Sequence, residues 1–254
     1  MIFVVCYPQG ASGSFLSALL ERVYYGESKE FSPYTTDEQN CAHKTHQYQN
    51  YLETQPDRSI VSPPDRFNLL QIVDPDSPAF FPIHSFNPPS FRKRFPESKI
   101  IAIIPDETDS LEISINVLYK FFLTEERYRN RKDLNGKILP DSRWLYHPCP
   151  PLVDDIRTTD TINFTREQKR KLVLLFKSEV LSSGFHLLGS DPSVYGSNIW
   201  FIKYRDIQDN RAGVIKILEN VTGKQAGPAA WEALDYYVER QQTMIDKIRK
   251  ELDL

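Results

Sequence analysis

The chain has 254 residues, of which 40% are hydrophobic, 26% charged and 12% aromatic, and its net charge is −3. That length suits one α/β domain, or less commonly two small ones, and the slightly acidic balance gives nucleic acid or an anionic membrane no general attraction. No stretch approaches the roughly 18 apolar residues that a membrane-crossing helix needs, so the expectation is a globular, soluble protein.

Residues 2–6 (IFVVC) read as a buried first strand, with Cys6 as one of its small apolar residues. No basic leader precedes this strand. Cys6, Cys41 and Cys149 are odd in number and widely spaced, which does not suggest a disulfide framework. Both observations make a reducing, cytoplasmic location the expectation. The strand runs into a small-residue loop, Gly10-Ala11-Ser12-Gly13-Ser14, and then into an apolar-patterned helix from Phe15 to Val23. A strand, a glycine turn and a helix N-terminus together form a cradle for phosphate or sulfate. Gly10 and Gly13 give the turn its backbone freedom, and the hydroxyls of Ser12 and Ser14 are candidate donors. The plainer alternative is a buried strand followed by a serine-capped helix. The loop is neither G-x-x-x-x-G-K-[ST] nor G-x-G-x-x-G, so the usual ATPase, GTPase and dinucleotide signatures are absent.

Residues 26–80 are polar and rich in turn chemistry, and are read as an excursion over the active face. Phe80–Ile83 is a candidate second strand leading to His84. Lys99–Ile104 (KIIAII) is the clearest central strand and breaks at Pro105. Asp109 and Ser110 then precede a long helical pattern with Leu111, Ile115, Leu118 and Phe122 on one side. Residues 129–160 read as a second long loop. Thr165 caps a helix over 166–182, and 199–204 (IWFIKY) is a further strand. Helices follow over 211–222, closed by Gly223, and over 228–252. Trp231, Leu234, Tyr237 and Met244 in this last helix are expected against the core, and its charged tail IDKIRKELDL in solvent. Strands alternating with helices predict an α/β core with a mostly parallel sheet, as a single domain over 1–254 with long loop insertions. In such sheets ligands sit at the carboxyl ends of strands, where the first loop, His84 and residues 105–110 converge.

The order of these landmarks resembles the P-loop sulfotransferases, which use the donor 3'-phosphoadenosine-5'-phosphosulfate. Tyr7-Pro8-Gln9-Gly10-Ala11-Ser12-Gly13-Ser14-Phe15-Leu16 is similar to that family's YPKSGTTWL segment, and Pro82-Ile83-His84 to its KTH segment. Pro105 to Ser114 is similar to its R-x-P-x-D-x-x-x-S stretch, and Tyr204-Arg205-Asp206-Ile207 to its Y-E-D-L type motif. The resemblance implies a three-layer P-loop-type fold. It implies that Gly10, Ala11, Ser12, Gly13 and Ser14 bind the phosphosulfate, that Ser110 and Ser114 lie at the donor's 3'-phosphate, and that His84 is the general base. Gln9 stands where the family has its catalytic lysine, and Pro105 where it has the phosphate-binding arginine. Arg92, Lys93 and Arg94, or the basic run from Arg127 to Lys132, are candidate replacements for that charge.

The implied reaction moves a sulfuryl group to a hydroxyl or amine of a small molecule or carbohydrate, without metal. Two other readings stay open. One is a phosphotransferase, which lacks the Walker lysine. The other is a noncatalytic P-loop-like nucleotide- or anion-binding or interaction protein, which the exchanges at Gln9 and Pro105 favour. Cys41, His43 and His46 suit zinc by type, but their spacing matches no strong zinc signature, so no metal is expected. The acceptor and the oligomeric state are not legible.

Overall fold

The computed structural model describes residues 2–8, 10–26, 79–83, 96–129, 165–182, 184–185, 196 and 198–254. Four parallel strands form one sheet: β1 (Ile2–Cys6), β2 (Ala79–Ile83), β3 (Lys99–Ile104) and β4 (Ile199–Lys203), in the order β2-β1-β3-β4. The register sets Val4 opposite Phe81 and Ile100, and Ile101 opposite Trp200. β1 is apolar throughout, and β3 is apolar after Lys99, because both of their faces are covered. Phe3, Val5, Ile101 and Ile103 point into the main core, while Val4, Cys6, Ile100 and Ala102 join Phe185 and Ile199 on the opposite side. Burial pushes the Cys6 thiol pKa up to about 12.

Helix α1 (Gly13–Tyr25) lays Phe15, Leu16, Leu19, Leu20 and Val23 on the main core. After β3 a single turn of 3₁₀ helix, Glu107–Asp109, leads into α2 (Ser110–Arg129). Helix α3 (Arg166–Ser182) starts in a capping box: the Gln168 N–H donates to Thr165 Oγ1 at 3.2 Å, and the Thr165 N–H donates to Gln168 Oε1 at 2.8 Å. A one-turn helix not anticipated from the sequence, α4 (Asp206–Asp209), joins β4 to α5 (Arg211–Thr222). Gly223 closes α5 at φ 71°, as expected from its place after the last apolar residue.

The last helix, α6 (Pro228–Leu252), contributes Ala230, Ala233, Leu234 and Val238 to the main core. Its charged tail departs from the expectation of a solvated segment. Ile245 and Leu252 are fully buried in a second cluster with Ile115 and Leu118 of α2 and Leu172 and Val173 of α3. One apolar stripe per two turns is enough to dock a helix whose other faces are charged. Trp231, by contrast, stands at the surface, 36% exposed. Among the described residues no helix is long and apolar enough to cross a membrane.

The chain leaves β1 for β2 on one side and returns to β3 on the other. The strand order therefore reverses between β1 and β3. In parallel α/β sheets that reversal opens a crevice outside the carboxyl ends of the two strands, and ligands bind there. The loop after β1 and the turn after β3 flank it.

Candidate anion-binding site

The loop after β1 begins as a tight turn in which the Ala11 N–H donates to the Pro8 carbonyl at 3.0 Å. Gly10, just before Ala11, has φ 88°, a left-handed value that glycine adopts without steric cost. It also lies against α2, where a Cβ would come within 2.5 Å of the Ile113 carbonyl oxygen. Asn116 of the same helix donates from Nδ2 to the Gly10 carbonyl at 3.2 Å. Gly13 is needed for space: a Cβ would fall 1.9 Å from the Tyr7 ring, whose hydroxyl is hydrogen-bonded to Ser14 Oγ at 2.9 Å.

Ser12, between the two glycines, is also left-handed, with φ 63° and ψ 13°, and is only 1% exposed. Its hydroxyl caps no backbone N–H of α1 and is turned toward α6. Tyr237 Oη donates to Ser12 Oγ at 2.9 Å and Gln241 Nε2 donates to it at 3.2 Å. The left-handed backbone costs an L-residue roughly 1–2 kcal/mol. Two hydrogen bonds, one buried and one part-buried, at about 1 kcal/mol each offset that. The Tyr237 ring stacks on Phe15 at 3.7 Å between centroids, which holds α6 against the start of α1.

Behind the loop the network closes on Tyr204, at the end of β4. Its phenol oxygen accepts from Asn116 Nδ2 at 3.0 Å and from Gln241 Nε2 at 3.2 Å. Burial, reinforced by the charge of Glu112, raises the Tyr204 pKa and keeps the phenol protonated. Asn116 Oδ1 and Gln241 Oε1 are buried without a donor. A half-turn of the Gln241 amide would give the protons of Tyr204 and Ser12 an acceptor in Oε1.

The first intrahelical bond of α1 runs from the Leu16 N–H to the Ser12 carbonyl at 2.9 Å. The N–H groups of Gly13, Ser14 and Phe15 therefore have no partner within the helix, and they stand at the positive end of its dipole. An oxyanion is the ligand such a turn accommodates best.

The turn after β3 carries the second part of the site. Asp109 is fully buried: its Oδ2 accepts from the Asp106 N–H at 2.9 Å, and its Oδ1 accepts from Arg205 Nη2 at 2.9 Å and Nε at 3.1 Å. Those bonds raise the Arg205 pKa and fix one edge of the guanidinium. The side chain is 47% exposed, and Nη1 has no partner among the described residues. A cation thus enters from the end of β4, while Pro105 is buried at the end of β3. Sequence reasoning looked for it in Arg92–Arg94 and Arg127–Lys132, whose side chains lie outside the described residues. The available signal was position: Arg205 lies two residues beyond the last strand.

Of the residues singled out from sequence, Gly10, Ala11, Ser12, Gly13 and Ser14 form the loop after β1. Ser110 and Ser114 open α2, both buried. Ser110 Oγ donates to the Glu107 carbonyl at 2.5 Å, and Ser114 Oγ donates to the Ser110 carbonyl, so both protons go to nearby backbone, one in the preceding 3₁₀ turn and one in α2. Gln9 and His84 lie outside the described residues, as do Cys41, His43, His46 and Cys149. No group of three metal-binding side chains occurs among the described residues. Comparison with protein-family models, with curated proteins and with solved structures returns no match for this chain.

Proposed function

We propose that the chain is a sulfotransferase-like enzyme on a three-layer P-loop-type fold, binding 3'-phosphoadenosine-5'-phosphosulfate at the β1/β3 crevice. One observation carries the reading: a doubly left-handed turn at the carboxyl end of β1, at the strand-order reversal, opens into a helix whose first three N–H groups have no backbone partner among the described residues. The N–H groups of Gly13, Ser14 and Phe15 hold the phosphosulfate end. Arg205, oriented by Asp109, supplies positive charge to the same anionic donor, in place of the arginine absent at position 105.

Transfer proceeds in line. The acceptor hydroxyl or amine forms its bond to sulfur as the bond from sulfur to the bridging phosphate oxygen breaks, and 3'-phosphoadenosine-5'-phosphate leaves. His84 takes the acceptor's proton. The loop N–H groups and Gln9 donate hydrogen bonds to the charge as it develops on the transferred group and the leaving phosphate. Glutamine donates without carrying charge, so Gln9 offers less to the leaving group than a lysine would. No metal takes part in the scheme.

A noncatalytic anion-binding protein is the second reading. It is favoured by the two exchanges at Gln9 and Pro105 and by the inward-turned hydroxyls of Ser110 and Ser114. Calorimetric titration with 3'-phosphoadenosine-5'-phosphate, with ADP as control, tests the nucleotide site. Selective binding, followed by release of that nucleotide from the phosphosulfate donor in the presence of an acceptor library, supports the enzyme. Selective binding without turnover in any acceptor favours the second reading. No binding of either nucleotide by folded protein removes the enzyme reading and leaves the noncatalytic one.

A further inference from the structure

We infer that the Ser12 hydroxyl is a conformational tether through which helix α6 holds the anion loop in its binding shape, beside the grip of α2 on the Gly10 carbonyl, and is not itself a ligand donor. The inference deepens the anion-binding reading above and rests on it for its functional consequence.

Both left-handed residues of the loop are held from outside it. Gly10 is gripped through its carbonyl by Asn116 of α2, and Ser12 through its hydroxyl by Tyr237 and Gln241 of α6. Tyr204 joins the two grips, because Asn116 and Gln241 donate to the same phenol oxygen. The arrangement draws on four parts of the chain yet presents nothing of Ser12 to solvent, since the residue is 1% exposed and its oxygen faces the core. Glycine at position 12 would adopt φ 63° at no steric cost, whereas serine keeps it only because the surroundings over-determine it. Tyr237, Gln241 and Asn116 are thus positioning residues, and α6 is part of the site although none of its side chains need reach the anion.

Two roles for the same hydroxyl separate cleanly on substitution. Ser12→Ala keeps the backbone cost and removes the tether. Ser12→Gly removes both together. A ligand-contacting hydroxyl would be missed equally in either variant. The experiment measures the affinity for 3'-phosphoadenosine-5'-phosphate of wild type, Ser12→Ala, Ser12→Gly and Tyr237→Phe. It also measures hydrogen exchange at the two hydrogen-bonded loop amides, Ala11 and Leu16.

The tether requires about tenfold weaker binding and about tenfold faster exchange in Ser12→Ala, a smaller loss of the same kind in Tyr237→Phe, and binding within about threefold of wild type in Ser12→Gly. Equal losses in Ser12→Ala and Ser12→Gly would overturn it in favour of direct contact. Wild-type exchange and affinity in Ser12→Ala would overturn it outright. If wild type binds no nucleotide, the enzyme reading fails, and the exchange rates of Ser12→Ala and Tyr237→Phe alone decide the tether: faster exchange supports it, and unchanged exchange overturns it.

Discussion

Tyr237 donates to Ser12 across 225 residues of chain, at 2.9 Å, and so ties the last helix to the first loop. The bond is part-buried, and the same ring stacks on Phe15. Replacing Tyr237 with Phe keeps the stacking and removes one donor from a serine already in a costly backbone state. The expected loss is about 1 kcal/mol of stability, read from urea unfolding. Phe at 237 combined with Leu at 241 should lose more than the two single losses added, because Ser12 then has no donor left.

Gly13→Ala should cost about 1–3 kcal/mol, since its methyl would overlap the Tyr7 ring and displace the Tyr7–Ser14 bond. In a Tyr7→Ala background the same change should cost roughly half as much or less, because the clashing ring is gone. A double-mutant cycle by chemical denaturation checks this. Equal costs in both backgrounds would place the reason for glycine elsewhere.

Arg205→Gln and Asp109→Asn should part company in nucleotide affinity. Arg205 is half exposed, but its loss leaves the fully buried Asp109 carboxylate with only the Asp106 N–H among the described residues, so stability should fall by about 1–3 kcal/mol. Asp109 is buried and closes the turn to the Asp106 N–H, so its loss should cost about 1–2 kcal/mol. For nucleotide affinity Arg205→Gln should be the damaging change, about tenfold, with a shallower dependence on salt. Calorimetry at two salt concentrations reads both effects.

Cys6 gives stability an alkaline limit. Its folded pKa is raised to about 12 from 9.0 by burial, so between those values the unfolded chain releases a proton that the folded chain keeps. Stability is therefore fully present below pH 9 and falls as pH rises toward 12, by about a factor of ten in the unfolding constant per pH unit. Comparing wild type with Cys6→Ala at pH 8 and pH 10 isolates this: the gap between them should narrow by about tenfold. The thiol should also resist maleimide until the protein unfolds.

The strands and the later helices were legible because continuous apolar runs and 3.6-residue spacing report burial directly, as in KIIAII and in the stripe from Phe15 to Val23. Thr165 and Gly223 were readable as helix ends because capping chemistry is local. The burial of Ile245 and Leu252 was not, because a charged tail hides a narrow stripe whose partners lie far away in α2 and α3. Leu252→Ala should accordingly cost about 2 kcal/mol or more, where a solvated tail would lose nothing. Within the site, the glycines announced a turn, but the direction of Ser12 could not be read. It depends on Tyr237 and Gln241, more than two hundred residues away in sequence. Arg205 was missed for a similar reason: only the sheet order brings the end of β4 beside the turn after β3.

The most direct test of the account is a titration of isotopically labelled protein with 3'-phosphoadenosine-5'-phosphate, followed through backbone amide resonances. The account requires the N–H protons of Gly13, Ser14 and Phe15 to move downfield together as they take up an acceptor, with the Arg205 side-chain signals following. A titration in which these amides stay fixed while resonances elsewhere move, or in which none move, would contradict it.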